Sequence, residues 1–392
     1  MEYAIANYSR NRFSMPRILY LITELDIGGA EKNLFRLAVA LKERGWDVEV
    51  ACLSGHGEVG KWLADRGIAV HYVEMGAKLR LGWFVRLVKL IRRVKPDILH
   101  TFLFHANVAG RLANFFAGAP TVVSSVRVAE RRRASHLYMD FLTQTLMDRE
   151  VCVSEGVREH THARAHIGWE KLVVIANPVE PLQPTRPREA MRAQLGVANA
   201  DKLVLSIGRL DVQKGYEYLV EAAACVIAAH DNVRFIVAGE GDRRKTLEDE
   251  ITRRGIANRF KLPGWRRDIA DLYNAADIFV LPSLWEGMPN SVLEAATFAL
   301  PIIATAVEGT REVIEDTRTG LLVPPRDSGA LWETLEELLG DESLRREMGL
   351  KAREYVASHH TVEGFVLAHE KLYGALLASK KVGEGPHGGS HC

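Results

Sequence analysis

The chain has 392 residues, 47% apolar and 26% charged, enough for two or three domains with cores of their own and too apolar for a wholly disordered protein. A net charge of +1, from 51 basic and 50 acidic side chains, removes any global reason to expect nucleic acid as a partner, so a basic surface has to be local. No stretch reaches the roughly 18 consecutive apolar residues of a membrane span. The cysteines, Cys52, Cys152, Cys225 and Cys392, form no C-x-x-C pair, and the first three, in apolar segments, read as reduced core residues of a cytosolic protein.

Met1 to Met15 lacks the apolar centre of a secretory signal and is expected to be a disordered leader, residues 1–15. Arg17–Ile22 then reads as a strand, followed by a turn containing Gly28-Gly29 and a helical pattern from Ala30 to Glu43. A strand, a glycine turn and a helix open a nucleotide-binding-like unit, although G-x-G-x-x-G is absent and the glycines alone also fit a turn that needs positive φ. Strands predicted at Asp47–Leu53, Val70–Val73, Ile98–Phe102, Thr121–Ser125 and Glu150–Val153, with helical patterns between them, point to a parallel sheet covered on both faces.

The helix predicted within Leu79–Lys95 sets Phe84, Leu87, Val88, Ile91 and Val94 against Arg86, Lys89, Arg92 and Arg93. That pattern fits a crossover helix packed on its sheet, and it also fits contact with an anionic membrane surface. Arg127 and Arg131-Arg132-Arg133 add positive charge, either on the same face or as a solvated loop. Beyond the strand at Ile98–Phe102, His105 and Asn107 fall where open parallel sheets bind ligands, while His100 lies within the strand and reads as structural. His160, His162 and His166 lack an accompanying Cys or carboxylate pattern and read as a surface cluster.

Asn177–Pro187 holds four prolines in eleven residues and reads as a linker. The plan then repeats: a strand at Lys202–Ile207, the turn Gly208-Arg209-Leu210 through Lys214-Gly215, and a helix from Tyr216 to Ala229. Arg209 offers a planar fork and Lys214 a point charge, both suited to a diphosphate. Later strands end in Gly239-Glu240-Gly241-Asp242, in Pro263-Gly264-Trp265, and in the loop from Pro282 to Asn290, so four successive strand ends converge on one sheet edge.

In that last loop Glu286, Gly287, Met288, Pro289 and Asn290 lead from the strand Ile278–Leu281 into a helix predicted over Val292 to Phe298. A helix N-terminus there suits phosphate or a hydroxyl-rich ligand, with Glu286 and Glu294 as acceptors for hydroxyls. Ser291-x-x-Glu294 is equally a capping box, which accounts for Glu294 without a ligand, and Glu286 alone also fits a solvated loop. Gly320–Pro325 closes the second sheet, and helices follow at Ser328–Leu339, Asp341–His359 and Thr361–Ser379, the last expected to pack back on the first domain. The Gly-rich residues 380–392 are expected to form a disordered tail.

With Gly28-Gly29-Ala30-Glu31, Gly208-Arg209-Leu210 with Lys214-Gly215, Gly239-Glu240-Gly241, and Glu286 spaced eight before Glu294, the chain resembles glycosyltransferase family 4 over residues 16–378. The resemblance implies the α/β GT-B fold, two Rossmann-like parallel-sheet domains facing across a cleft. Residues 16–178 would form the acceptor-side domain, 179–360 the nucleotide-sugar domain, and 361–379 the returning helix. It implies a retaining hexosyltransferase that moves a sugar from a UDP- or GDP-sugar to a hydroxyl of an acceptor sugar or lipid-linked sugar in surface polysaccharide or glycolipid assembly, cytoplasmic and at the inner face of the membrane.

On this resemblance Arg209 and Lys214 would hold the donor diphosphate in place of a metal, and no cofactor is expected; the sequence has no D-x-D triplet. Glu294 would hold the ribose and Glu286 the donor sugar. The backbone of Gly287 to Asn290, with Gly208, would line the donor site, and Gly28 and Gly29 would close over the diphosphate from the opposite domain. Many members carry a further histidine at the position of Phe102, and His105 is the candidate to replace it. Two other readings share the two-sheet plan: a sugar-nucleotide 2-epimerase, which needs additional acid/base residues around the sugar, and a catalytically silent sugar-nucleotide-binding protein.

Overall fold

The computed structural model describes residues 15–76, 82–119, 121–131 and 133–383. The expected leader other than Met15, the tail beyond Gly383, the Leu79–Leu81 start of the basic segment, Arg132 and Cys392 lie outside the described residues. The chain divides into two compact units: one runs to Pro178 and takes in the last helix from Val362, and the other is Val179–Thr361.

The first unit alternates strand and helix. It runs β1 (Arg17–Ile22), α1 (Gly29–Glu43), β2 (Asp47–Cys52), α2 (Glu58–Asp65), β3 (Ala69–Tyr72), α3 (Gly82–Val94), β4 (Ile98–Phe102), α4 (Phe104–Ala117), β5 (Thr121–Val126), α5 (Ala134–Thr143), β6 (Arg149–Cys152), α6 (Glu155–Ala165) and β7 (Leu172–Val174). All seven strands are parallel, in the order β3-β2-β1-β4-β5-β6-β7. The chain leaves β1 in one direction for β2 and β3 and returns on its other side with β4, which puts the switch point between β1 and β4.

Alternation along β1 supplies both cores, because successive side chains point to opposite faces. Ile18, Tyr20 and Ile22 pack with Leu34, Leu37 and the end of the chain, while Leu19 and Leu21 pack with Leu87, Ile91 and Ala109. Leu87, Leu90, Ile91 and Val94 of α3 are all buried, so the apolar stripe of the basic segment is that of a crossover helix.

The second unit has α7 (Arg188–Leu195), β8 (Lys202–Ile207), α8 (Tyr216–Ala229), β9 (Val233–Ala238), α9 (Arg244–Arg253), β10 (Phe260–Lys261), α10 (Ile269–Ala275), β11 (Ile278–Leu281), α11 (Asn290–Thr297), β12 (Ile302–Thr305), α12 (Thr310–Val313), β13 (Leu321–Val323), α13 (Ser328–Gly340) and α14 (Glu342–His359). Its six strands are parallel, in the order β10-β9-β8-β11-β12-β13. The last helix, α15 (Val362–Gly383), belongs to the first unit, where the Tyr373 hydroxyl lies 2.6 Å from Nδ1 of buried His100.

Two readings are corrected. Cys225 is exposed on α8 rather than in the core, and of the described cysteines Cys52 and Cys152 are buried. Arg127 is no surface charge: half-buried just after β5, it turns its guanidinium inward and donates to Asn177 Oδ1. Strands β7 and β12, three and four residues long, carry too little period to be read from sequence. Among the described residues no helix is long and apolar enough to cross a membrane.

Candidate active site

Strands β10, β9, β8 and β11 are parallel neighbours, so the loops that follow them leave one edge of the second sheet. Backbone hydrogen bonds join these loops. Leu210 N donates to Glu240 O at 2.9 Å, Gly239 N to Gly264 O at 2.9 Å, and Leu284 N to Gln213 O at 2.7 Å. The approach is close enough to require glycine: a Cβ on Gly239 would stand 1.9 Å from Gly208 O, and one on Gly309 would stand 1.7 Å from Gly287 O.

After β8 the chain passes Gly208 and Arg209 into a single 3₁₀ turn over Val212–Lys214, capped by Asp211, whose side chain accepts from Lys214 N. Gly215 leaves that turn at φ +59°, and a Cβ there would meet Pro282 O at 2.3 Å. Held at its base in this way, Lys214 donates from Nζ to Glu286 Oε1 at 2.5 Å, and the Ser283 hydroxyl donates to the same oxygen at 2.6 Å. The Lys214 and Glu286 side chains are only 13% and 7% exposed, so each charge is out of water and depends on the other. Arg209 is the opposite case: 69% exposed, it reaches Asp211 at 3.4 Å and Gln213 at 3.5 Å, the outer limit of useful bonding. Of the two cations predicted for the diphosphate, Lys214 is fixed and Arg209 loosely held.

Following β11, Gly287, Met288 and Pro289 are buried and lead into α11, whose N-cap is Pro289. The capping box does not form, because α11 begins at Asn290 and Ser291 already lies inside it, with no side-chain cap. Glu294 is buried for another reason: its Oε2 accepts from the Tyr273 hydroxyl at 3.0 Å. Burial and the neighbouring carboxylate hold the Tyr273 phenol well above the ordinary range, which keeps it a donor. Tyr273 is itself set by stacking on Phe298, with ring centroids 5.5 Å apart.

In the first unit Gly28 is the extended N-cap of α1 and Gly29 its first residue. A Cβ on Gly28 would stand 2.2 Å from Glu31 Oε2, and burial raises that carboxyl to about 7. Arg127 is lowered to about 10 by burial. His105 is exposed in the first turn of α4, and burial of its inner side, then His136 and Arg133, lower its imidazole. Asn107 is structural, accepting from Thr101 Oγ1 at 2.8 Å and donating to Ser125 O at 3.0 Å. Phe102 is fully buried, its ring 4.5 Å from that of His100. His160 and His162 contact the carbonyls of Glu130 and Ile167, and His166 ends α6 in the left-handed region, so the trio shares no site.

The structure thus brings Lys214, Glu286 and the Gly287–Asn290 loop together in the second unit and puts Arg209 and Glu294 on elements of the same edge. Ser283, Gln213, Tyr273 and Gly309 belong to this edge but were not singled out in sequence. Only Ser283, three residues from Glu286, carried a local signal. Among the described residues no group of three or more His, Cys, Asp or Glu could hold a metal ion.

Residues 27–182 match the family described as Glycosyltransferase Family 4, and residues 187–355 match Glycosyl transferases group 1. The chain is 30% identical over 274 residues to an Escherichia coli UDP-Gal:alpha-D-GlcNAc-diphosphoundecaprenol alpha-1,3-galactosyltransferase, covering 66% of this chain and 70% of that protein. It is 27% identical over 365 residues to the Rhizobium meliloti lipopolysaccharide core biosynthesis glycosyltransferase LpsE, covering 90% and 96%. Among solved structures, Anabaena HepE in complex with UDP and glucose superposes with a TM-score of 0.83 at 22% identity, over 92% of this chain and all of that one. Sucrose-phosphate synthase from Thermosynechococcus elongatus superposes at 0.77 and 21% identity, over 93% of this chain and 100% of its own. At that identity the likeness shows the fold, which is GT-B.

Proposed function

Because the chain belongs to glycosyltransferase family 4 and has the GT-B fold, we propose that it is a retaining, metal-independent hexosyltransferase. Its donor is a nucleoside-diphosphate sugar, UDP-linked in preference to GDP-linked, and its acceptor is a hydroxyl of a lipid-linked sugar in polysaccharide or glycolipid assembly. The galactosyltransferase relative is named for a UDP-sugar and a diphosphoundecaprenol acceptor, and the HepE complex holds UDP, which supports that choice. In this reading the enzyme works at the cytoplasmic face of the membrane.

One observation carries the reading: a desolvated lysine, Lys214, is held 2.5 Å from Glu286 at the sheet edge where glycine loops and the start of α11 converge. In this reading Lys214 and Arg209 neutralise the diphosphate as the bond from the sugar's anomeric carbon to the phosphate oxygen breaks. The acceptor oxygen bonds to that carbon on the same face, and its proton passes to the departing phosphate. No protein base is then needed. Glu286 orients the sugar hydroxyls, Glu294 the ribose, and the Gly287–Asn290 backbone holds the remaining polar groups of the donor.

The test is thermal stability with UDP and GDP, followed by turnover. UDP should raise the melting temperature, and Lys214→Ala should remove most of that rise. No rise with either nucleotide, or an equal rise in the variant, would take the diphosphate role away. Release of nucleoside diphosphate only once acceptor is present separates transfer from epimerisation.

A further inference from the structure

Of the 13 large apolar side chains that stand exposed among the described residues, seven lie on α3, α4 and α5, helices of 13, 14 and 10 residues that pack side by side. Exposed apolar residues are normal when scattered and informative when gathered. Phe115 and Phe116 at the end of α4 are 71% and 56% exposed, and Val85 on α3 is 50% exposed. On α5, Tyr138, Phe141 and Leu142 continue the patch. Rings already bridge the helices: Phe84 meets Phe116 edge-on at 6.1 Å and Trp83 at 5.7 Å, and Phe115 meets Phe116 at 5.3 Å. These side chains are distinct from Leu87, Leu90, Ile91 and Val94, which the sheet consumes.

The charge beside these rings has one sign. Arg86, Lys89, Arg92, Arg93 and Lys95 are exposed on and just after α3. Arg86 donates to the carbonyls Val73 O and Glu74 O and Arg92 to Phe116 O at 2.8 Å, while Arg93 meets Nδ1 of His71, whose other ring nitrogen lies 2.5 Å from Glu49 Oε2. Neither α3 nor α4 contains an aspartate or glutamate, and the one acid of α5, Asp140, is taken by buried Arg111 at 3.0 Å. A protein partner usually meets a rim of mixed polarity. Aromatic rings among unneutralised arginines and lysines fit a surface that is apolar within and anionic at its boundary.

We propose that the α3–α4–α5 face docks on an anionic lipid bilayer, its aromatic rings entering the interface while the cations meet lipid phosphates. This reading is independent of donor chemistry, since docking is measured with neither donor nor acceptor present. The full chain is sedimented with vesicles of phosphatidylcholine alone and with vesicles that also contain phosphatidylglycerol. Binding is expected to the anionic vesicles at low salt, with release at high salt. Phe115→Ser with Phe116→Ser should weaken it roughly tenfold, and Lys89→Glu with Arg93→Glu should remove its salt dependence. All four side chains are exposed, so the melting temperature of each variant should match that of the parent and misfolding is excluded by the same samples. Quenching of tryptophan fluorescence by brominated lipid, reduced in Trp83→Phe, locates the contact. Absence of binding to anionic vesicles overturns the proposal, as does binding indifferent to both double variants. Self-association broken by the phenylalanine variant, without vesicle binding, would assign the face to a second copy of the chain and overturn it equally.

Discussion

Lys214 Nζ and Glu286 Oε1 stand 2.5 Å apart across 72 residues of sequence, and their contact fastens the loop after β8 to the loop after β11. Each side chain is costly to bury alone, so neither can be removed without leaving the other unpaired. The two substitutions nevertheless differ in kind. Lys214→Ala leaves a buried carboxylate with the Ser283 hydroxyl as its remaining side-chain donor in that contact. Glu286→Gln keeps the shape and removes the charge.

For catalysis the expected order follows from that difference. Lys214→Ala should lower kcat/KM by about 10²–10³-fold, the usual cost of losing one preorganised charge stabiliser. It should also remove most of the thermal shift by UDP. Glu286→Gln should retain a UDP shift and lose turnover. Steady-state kinetics beside thermal shifts check both, and a Lys214→Ala protein that turns over normally would falsify the diphosphate role.

Tyr273 places Glu294 through a buried hydrogen bond of 3.0 Å. Tyr273→Phe keeps the stacking on Phe298 and deletes only the hydroxyl. Urea unfolding should show a loss of about 1.5–3 kcal/mol, the range for a hydrogen bond to a charged group. If Glu294 holds the ribose, the donor KM should rise while kcat changes little. A fall in kcat at constant KM would place Glu294 in the chemical step instead.

What could be read in the sequence and what could not divides along physical lines. Strands such as Arg17–Ile22 and Lys202–Ile207 announced themselves because both faces are buried and apolar residues run together, Ile18–Ile22 in the first and Leu203–Leu205 in the second. The loops at Gly208 and Gly239 were visible because Gly239 lies against the Gly208 carbonyl, where only glycine fits, and a Cβ on Gly208 would meet the Tyr216 hydroxyl. Pairings were not visible: Ser291-x-x-Glu294 has the spacing of a capping box, yet the helix starts at Asn290, two residues before the Val292 such a box requires, and a tyrosine 21 residues away claims the carboxylate. Arg127 was placed among surface arginines because its sequence neighbours are basic, whereas the end of β5 turns it inward. Tertiary packing decides such cases and leaves no local trace.

Glu31 gives a pH prediction with a definite sign. Its carboxyl is raised from 4.5 to about 7, chiefly by burial, so the folded protein holds a proton that the unfolded chain has released. The stability this contributes is complete below pH 4.5 and is lost as pH rises to about 7, by on the order of 3 kcal/mol. Glu31→Gln cannot ionise, so its urea midpoint should match the parent at low pH and exceed it increasingly up to pH 7, with a constant gap above. Parallel curves across that window would show that Glu31 is ionised in the folded state.

Gly309 approaches the Gly287 carbonyl so closely that a Cβ would lie 1.7 Å from the oxygen. Gly309→Ala must therefore displace the Gly287–Pro289 segment or its own turn. Donor affinity should fall at least about tenfold, an energy of roughly 1.4 kcal/mol, with the melting temperature reduced as well. Isothermal titration with UDP reads the first effect, and unaltered affinity would show that the loop does not touch the nucleotide.

Phe102 and His105 differ in burial, and that difference makes the place where a histidine acts in the first unit testable. Phe102 is fully buried beside His100, so restoring the histidine that many relatives of this family carry there, Phe102→His, would place a second imidazole in the core without a built partner. It should cost about 1–3 kcal/mol in urea unfolding and give no gain in turnover. His105 is exposed at the start of α4, so His105→Ala should leave unfolding unchanged and lower kcat if that side chain serves the transferred sugar. Turnover unaffected by His105→Ala, together with a Phe102→His protein that is stable and faster, would reverse the assignment and move the missing group back into the strand.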